Sequence, residues 1–170
     1  MTAVEIAPIA PALIEGYRRA VHVVARERRY LSPLEAVPPA QTRDFVLGLM
    51  AKGDPIYVAV ANGDVVGWCD IQRHRFPAHA HRGTLGMGIV PDHRRRGVGL
   101  RLIQRTLDEA FANDFVRIEL SVRADNLNAM RLYEKVGFVV EGVLRDAMLV
   151  DNEYHDAIAM ALIDRTRSPL

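Results

Sequence analysis

The sequence predicts one α/β domain on a mostly antiparallel sheet. Short runs rich in β-branched and aromatic residues are interspersed with stretches whose apolar residues recur at helical spacing. Turn signals, Asn62-Gly63-Asp64 and Asp151-Asn152, join consecutive strands directly, so those pairs are antiparallel. A strand–helix–strand crossover around residues 84–122 calls instead for a parallel pair.

Taken in order, residues 4–9 suit a short first strand, which Pro8 places at an edge or an end. Pro11 fits the first turn of a helix running to residue 28. Residues 31–39 hold three prolines and read as a loop. A short helix fits residues 42–51, with Phe45, Val46 and Leu49 on one side. Residues 56–61 and 65–73 are strands. Residues 75–82 form a polar loop, because Pro77 forbids a regular helix there. Residues 84–90 make a strand interrupted by Gly86 and Gly88, which suggests a bulge or a close packing partner.

From Gly97 the period changes, and Leu100, Ile103, Leu107, Ala110 and Phe111 share a helix face. Residues 117–122 alternate as a strand. Asp125 or Asn126 caps the next helix, and Gly137 stops it. Residues 138–150 and 154–163 read as the last two strands.

At 170 residues, the whole of residues 1–170 is the size of one domain. Formal charge is +1, so there is no global basic field and no nucleic-acid partner is expected. The single cysteine, Cys69, excludes an internal disulfide and a cysteine-built zinc site. His74 and His79 share their stretch with no carboxylate or cysteine, and no metal is expected. No apolar run is long enough to span a bilayer, so no membrane partner is expected. No secretory pattern opens the chain, and a cytoplasmic protein is the expectation.

The chemistry centres on His93-Arg94-Arg95-Arg96-Gly97-Val98-Gly99-Leu100. A strand leading through glycines into a helix gathers backbone N–H groups at a positive helix end, where phosphate oxygens bind. The arginines add charge-assisted donors. The P-loop pattern fails, since Leu100-Arg101 follow Gly99 where Lys and Ser or Thr are required. The dinucleotide fingerprint fails because Leu102 holds the place of its third glycine.

A second motif lies one strand downstream: Asn126-Leu127-Asn128-Ala129-Met130-Arg131-Leu132-Tyr133-Glu134-Lys135-Val136-Gly137-Phe138. Together the two motifs resemble the GNAT superfamily of acyl-CoA N-acyltransferases. Arg94-Arg95-Arg96-Gly97-Val98-Gly99 fits its phosphate loop, and residues 126–138 fit its later Asn-x-x-Ala-x-x-Leu-Tyr-x-x-x-Gly-Phe pattern. The resemblance extends from residue 56 to residue 163 and looks most like bacterial enzymes that acetylate free amino acids or related small amines.

The resemblance implies a mixed sheet of six or seven strands, helices on both faces and a splayed parallel strand pair. It implies acetyl-CoA as acyl donor, a small-molecule amine as acceptor, and direct attack in a ternary complex; a protein or peptide N-acetyltransferase and a noncatalytic acyl-CoA-binding module are the alternatives. The pyrophosphate would rest on backbone N–H groups of Arg95, Arg96, Gly97, Val98, Gly99 and Leu100, with Arg94 beside them. The pantetheine arm would pair with main chain at Gly88, Ile89 and Val90, and Asn126 would reach the cofactor with its amide. Tyr133 matches the general acid that protonates the departing thiolate.

Glu119 is the candidate base, on the strand flanking the cleft. Some relatives carry a glutamate where this chain has Ser121, so the match is incomplete there. Asp70, His81 and Glu119 have an equally simple reading as surface or sheet-bound polar residues, and attack without a protein base is the other alternative. Substrate choice is expected in residues 28–39 and 73–82. Many members pair, so a homodimer is a further expectation.

Overall fold

The computed structural model describes residues 3–35 and 37–166. In chain order they form β1 (Glu5–Pro8), α1 (Ile14–Ala25), α2 (Pro39–Lys52), β2 (Ile56–Ala61), β3 (Asp64–Arg73), β4 (Arg82–Ile89), α3 (Val98–Ala112), β5 (Arg117–Arg123), α4 (Leu127–Lys135), β6 (Val139–Val150) and β7 (Glu153–Ile163). One seven-stranded sheet runs β1-β2-β3-β4-β5-β7-β6. Its β4–β5 pair is parallel and its other pairs are antiparallel, as the crossover and the turn signals require.

The hairpin turns follow their residues. Asn62 and Gly63 have φ of 51° and 83°, and Asp151 and Asn152 have 51° and 63°. Two consecutive left-handed residues match the right-handed twist of the strands they join, and Asn, Asp and Gly tolerate that region best. Gly137 ends α4 at φ 102°. Asn126, rather than Asp125, caps α4: its side chain accepts from the Ala129 N–H at 3.3 Å.

Two helix expectations are corrected. The helix placed at 11–28 is a 3-10 turn, Pro11–Leu13, followed by α1, which ends at Ala25. The helix placed at 42–51 starts on Pro39, whose fixed φ and missing N–H suit a first helical position. Residues 77–79 wind into a single 3-10 turn within the loop.

Helices cover both faces. Against α3 and α4 lie Cys69, Ile71, Leu85, Ile118 and Leu120, packed on Leu102, Ile103 and Leu107. Against α1 and α2 lie Ile56, Val58 and Trp68, packed on Tyr17, Val21, Val24, Val46 and Leu49. Each large side chain so buried contributes about 1.5–3 kcal/mol relative to exposure. Alternation along β3 sends Cys69 and Ile71 to the α3 side, and Trp68 and Asp70 to the α1 side. Among the described residues no helix is long and apolar enough to cross a membrane.

The glycines of β4 do not bulge it. Its register with β3 runs unbroken from Gly83 to Ile89, and the irregularity lies in β2 between Ala59 and Val60. Gly88 is there for packing: a β carbon would sit 2.3 Å from the Trp68 ring. At Gly86 the nearest atom would be a carboxylate oxygen of Asp70 at 3.5 Å, an ordinary contact. We therefore expect Gly88→Ala to destabilise by about 1–3 kcal/mol through overpacking. Gly86→Ala should stay within about 0.5 kcal/mol of the parent in the same urea titration. Equal stability of the two variants would contradict the Trp68 contact.

Candidate active site

The parallel pairing of β4 with β5 consists of Arg82 with Arg117, Gly83 with Ile118 and Thr84 with Glu119. Beyond Thr84, β4 continues to Ile89 paired with β3, and β5 continues to Arg123 paired with β7. The two strands part, and their facing edges leave main-chain groups without ladder partners.

Parity decides which groups these are. The Arg82 carbonyl accepts from His74, and the Val90 N–H donates to Val66, so even-numbered residues of β4 face β3. The His81 carbonyl accepts from Val116, so odd-numbered residues face β5. The gap is therefore lined by main chain of Met87 and Ile89. Gly88 and Val90, expected to pair with a ligand, turn their main chain to β3. Met87 was missed because period-two alternation in a glycine-broken strand has no phase until its neighbour is known.

At the mouth of the gap the chain turns from β4 into α3. Arg95 and Gly97 are left-handed, with φ of 60° and 76°. Nothing lies within 4 Å of where a β carbon of Gly97 would sit. The first intrahelical bond of α3 runs from the Arg101 N–H to the Gly97 carbonyl, and no side chain caps the helix. The N–H groups of Val98, Gly99 and Leu100 thus lack intrahelical acceptors, at the positive end of the helix dipole. Arg95 and Arg96 are exposed beside them.

Two residues of this loop act differently from expectation. Arg94 is held as a fork on Glu27, at 2.9 Å from Nη1 to Oε1, and its Nε donates to the Ile89 carbonyl at 2.8 Å. It fastens the loop to the chain just after α1 instead of adding a free cation. Gly99 permits close packing: a β carbon there would lie 3.3 Å from Leu132 and 3.6 Å from Met87.

The remaining polar residues sort by face. Tyr133 lies on the α3–α4 side, buried, with its ring 5.8 Å from that of Phe138. Burial, and secondarily Cys69, pushes its hydroxyl pKa up, so it keeps its proton. Cys69 is fully buried and its thiol is likewise pushed up by burial, the wrong direction for a nucleophile.

Glu119 is on the opposite side, in a surface cleft of about 260 Å³ shared with Thr84, Arg117, Ser121 and Glu141. Both its oxygens lie 2.8 Å from Arg82 Nη2, Arg117 Nε donates at 2.9 Å, and His74 Nε2 lies at 3.0 Å. Burial alone would raise its pKa, but the bonds from Arg82 and Arg117 outweigh it and hold the carboxyl below the ordinary glutamate range. So clamped, it is a weak proton acceptor. His81 is exposed.

Asp70 is the contrasting carboxyl. It is 3% exposed, and its Oδ1 has no hydrogen-bond partner among the described residues. Burial pushes its pKa up to about 7 against the opposing effect of a hydrogen bond from Gln72. A second cleft, of about 290 Å³, lies farther along β5 between Arg123, Asp125, Tyr154 and Asp156. The segment after α1 leans toward the same end: Arg28 pairs with Asp151 at 2.6 Å, and the Arg123 guanidinium lies 5.4 Å from the Tyr30 ring.

Residues 21–138 match the model of the Acetyltransferase (GNAT) family. The chain belongs to the GNAT family. Among curated members it is 33% identical over 109 residues to L-amino acid N-acetyltransferase AaaT of Escherichia coli, covering 62% of this chain and 66% of that protein. It is 37% identical over 76 residues to the [ribosomal protein bS18]-alanine N-acetyltransferase of Salmonella typhimurium, covering 45% and 51%. It is 36% identical over 76 residues to the spermidine N(1)-acetyltransferase of Vibrio cholerae, covering 44% of each. The matches thus span from under half to about two thirds of these relatives' lengths. The GNAT fold extends further: yncA of Salmonella typhimurium, solved with its cofactor acetyl-CoA, superposes with a TM-score of 0.91 at 19% identity over 98% of both chains.

Within this GNAT domain the structure brings the loop residues, Met87 and Ile89 to one gap and sets Tyr133 and Glu119 on opposite faces of the sheet. Asn126 lies at the start of α4, where its carbonyl oxygen is engaged as the cap.

The Asp70 carboxyl has a consequence for stability. Folded, it holds its proton up to about pH 7; the ordinary value is 3.8. The folded state then binds more protons across that window, and stability falls as pH rises through it. About three pKa units at about 1.36 kcal/mol each amount to about 4 kcal/mol at most. Asp70→Asn removes this cost. We expect its stability gain in denaturant titrations to be small at pH 4, to grow up to pH 7 and to level off above. A gain independent of pH would contradict the burial effect.

Proposed function

We propose that the protein transfers an acetyl group from acetyl-CoA to the primary amine of a small molecule, with free amino acids the first class to test. The observation that carries this reading is the gap between β4 and β5 opening onto the left-handed turn before α3. The residues present fit the donor. An amide-bearing pantetheine arm would find the main chain of Met87 and Ile89, as an added strand does. A diphosphate would find the N–H groups of Val98, Gly99 and Leu100, with Arg95 and Arg96 flanking it. The amino-acid acceptor is supported by the likeness to the L-amino acid enzyme, the longest of the three curated matches above.

Tyr133 acts as the general acid in this reading. Its hydroxyl keeps its proton at neutral pH and serves the thiolate that leaves when the thioester bond breaks. The acceptor approaches from the opposite face, where the clefts beside Glu119 and Arg123 lie. Direct attack within a ternary complex is consistent with the buried, protonated Cys69.

The test is thiol release from acetyl-CoA with a panel of amino acids, polyamines and peptides. We expect turnover with amino acids, and a fall of about 100-fold in kcat for Tyr133→Phe, with acetyl-CoA affinity nearly unchanged. Unchanged turnover in that variant would remove the general acid. Turnover with peptides alone would replace the small-molecule acceptor by a protein.

A further inference from the structure

We propose that Asp70 takes the proton that an ammonium acceptor must lose before its nitrogen can attack, through one water seated over Gly86. This rests on the acetyl-transfer reading and names the residue that serves it from the acceptor's side of the sheet.

The geometry begins with register. Asp70 lies opposite Gly86 in the β3–β4 ladder. Its carboxylate overhangs β4 there, with oxygens 3.5 and 3.6 Å from where a β carbon of Gly86 would be. Gly86 is the second residue beyond the last β4–β5 pair, Thr84 with Glu119. Carried across the gap, the same register sets Gly86 against Ser121. Asp70, the bare Gly86 and Ser121 therefore form one row at the point where the strands have just parted, on the face that carries Glu119.

The carboxylate also has capacity to spare. Oδ1 is buried and unpartnered among the described residues. A buried polar atom in that condition ordinarily holds an ordered water. The groups around it are few: Trp68 and Gln72 on its own strand and face, Ile56 opposite on β2, Gly86 opposite on β4, and Tyr17 from α1. Gln72 hydrogen-bonds it, and no arginine or lysine contributes to its titration. Glu119, two positions from Ser121, has both oxygens spent on arginines. Of the two carboxyls on this face, Asp70 is the one whose affinity for a proton suits exchange near neutral pH, its pKa being about 7.

The step balances. The ammonium passes one proton through the water to the Asp70 carboxylate, and the freed lone pair forms the carbon–nitrogen bond to the acetyl carbonyl. The carbon–sulfur bond breaks with its electron pair on sulfur. Sulfur takes a proton from the Tyr133 hydroxyl, which the nitrogen's second proton replaces. The proton on Asp70 then returns to solvent, leaving an amide, a thiol and one released proton.

Two readouts test this. In the free protein labelled with ¹³C at aspartate carboxyls, one resonance should titrate near pH 7 and vanish in Asp70→Asn; titration of Asp70 in the ordinary aspartate range overturns the proposal. In steady-state kinetics with acetyl-CoA and the fastest amine of the panel, the wild type should show an acidic limb in kcat/KM near pH 7. Asp70→Asn should lose that limb and about 100-fold in kcat, with KM for acetyl-CoA unchanged. Gly86→Ala, which the packing tolerates, should lower kcat by filling the water's place, and it keeps the test open if Asp70→Asn misfolds. Wild-type turnover and pH profile in Asp70→Asn, or unchanged kcat in Gly86→Ala, overturns the proposal. A wild-type protein that acetylates no amine at all instead defeats the acetyl-transfer reading itself.

Discussion

The parallel ladder between β4 and β5 stops after Thr84 and Glu119, and the proposed acetyl transfer depends on that interruption. Strand twist accumulates across a sheet, so two strands committed to different neighbours diverge unless their own ladder restrains them. Here β4 follows β3 as far as Ile89, while β5 follows β7 along its whole length. Opening one ladder exposes main-chain donors and acceptors that must find partners elsewhere. In the proposed function an amide-bearing ligand supplies them without altering the fold. Gly99 lets α3 pack closely on Leu132 and Met87, and Arg94 ties the turn to Glu27, so the helix end is held at the mouth of the gap.

The sheet also separates polar groups of opposite character. On one face Tyr133 sits among apolar side chains that keep its proton in place. On the other, two carboxyls share a face but differ in surroundings. Glu119 is ionised and ligated by arginines, and Asp70 is deeply buried with Gln72 as its hydrogen-bond partner and its pKa raised by burial. A buried carboxyl with one oxygen unpartnered among the described residues costs stability, and such costs concentrate where a site needs a group that the core would otherwise exclude.

Much of this was legible in the sequence because local rules and global fold agree. Asn62-Gly63 and Asp151-Asn152 have the residues their turns demand, and the crossover forces the parallel pair. The glycines at 97 and 99 and the apolar stripe that follows them marked the turn into α3, which the structure shows as a left-handed Gly97 ahead of an uncapped helix start. What was not legible required neighbours distant in sequence. Whether Gly88 or Met87 offers main chain to the gap depends on β3, 20 residues away at Trp68. That Arg94 is occupied depends on Glu27, and that Glu119 is clamped depends on Arg82. Asp70 reads from the sequence as one polar residue in an apolar strand; its burial, on the face that α1 and α2 cover, shows only in the fold.

The most direct measurement is amide hydrogen exchange along β4, read residue by residue by NMR with and without acetyl-CoA. Gly86 and Gly88, already bonded to β3, should exchange slowly in both states. Met87 and Ile89, facing the gap, should slow only when acetyl-CoA is added. Slowing elsewhere, with Met87 and Ile89 unaffected at saturation, would show that the parted strands are not where the donor binds.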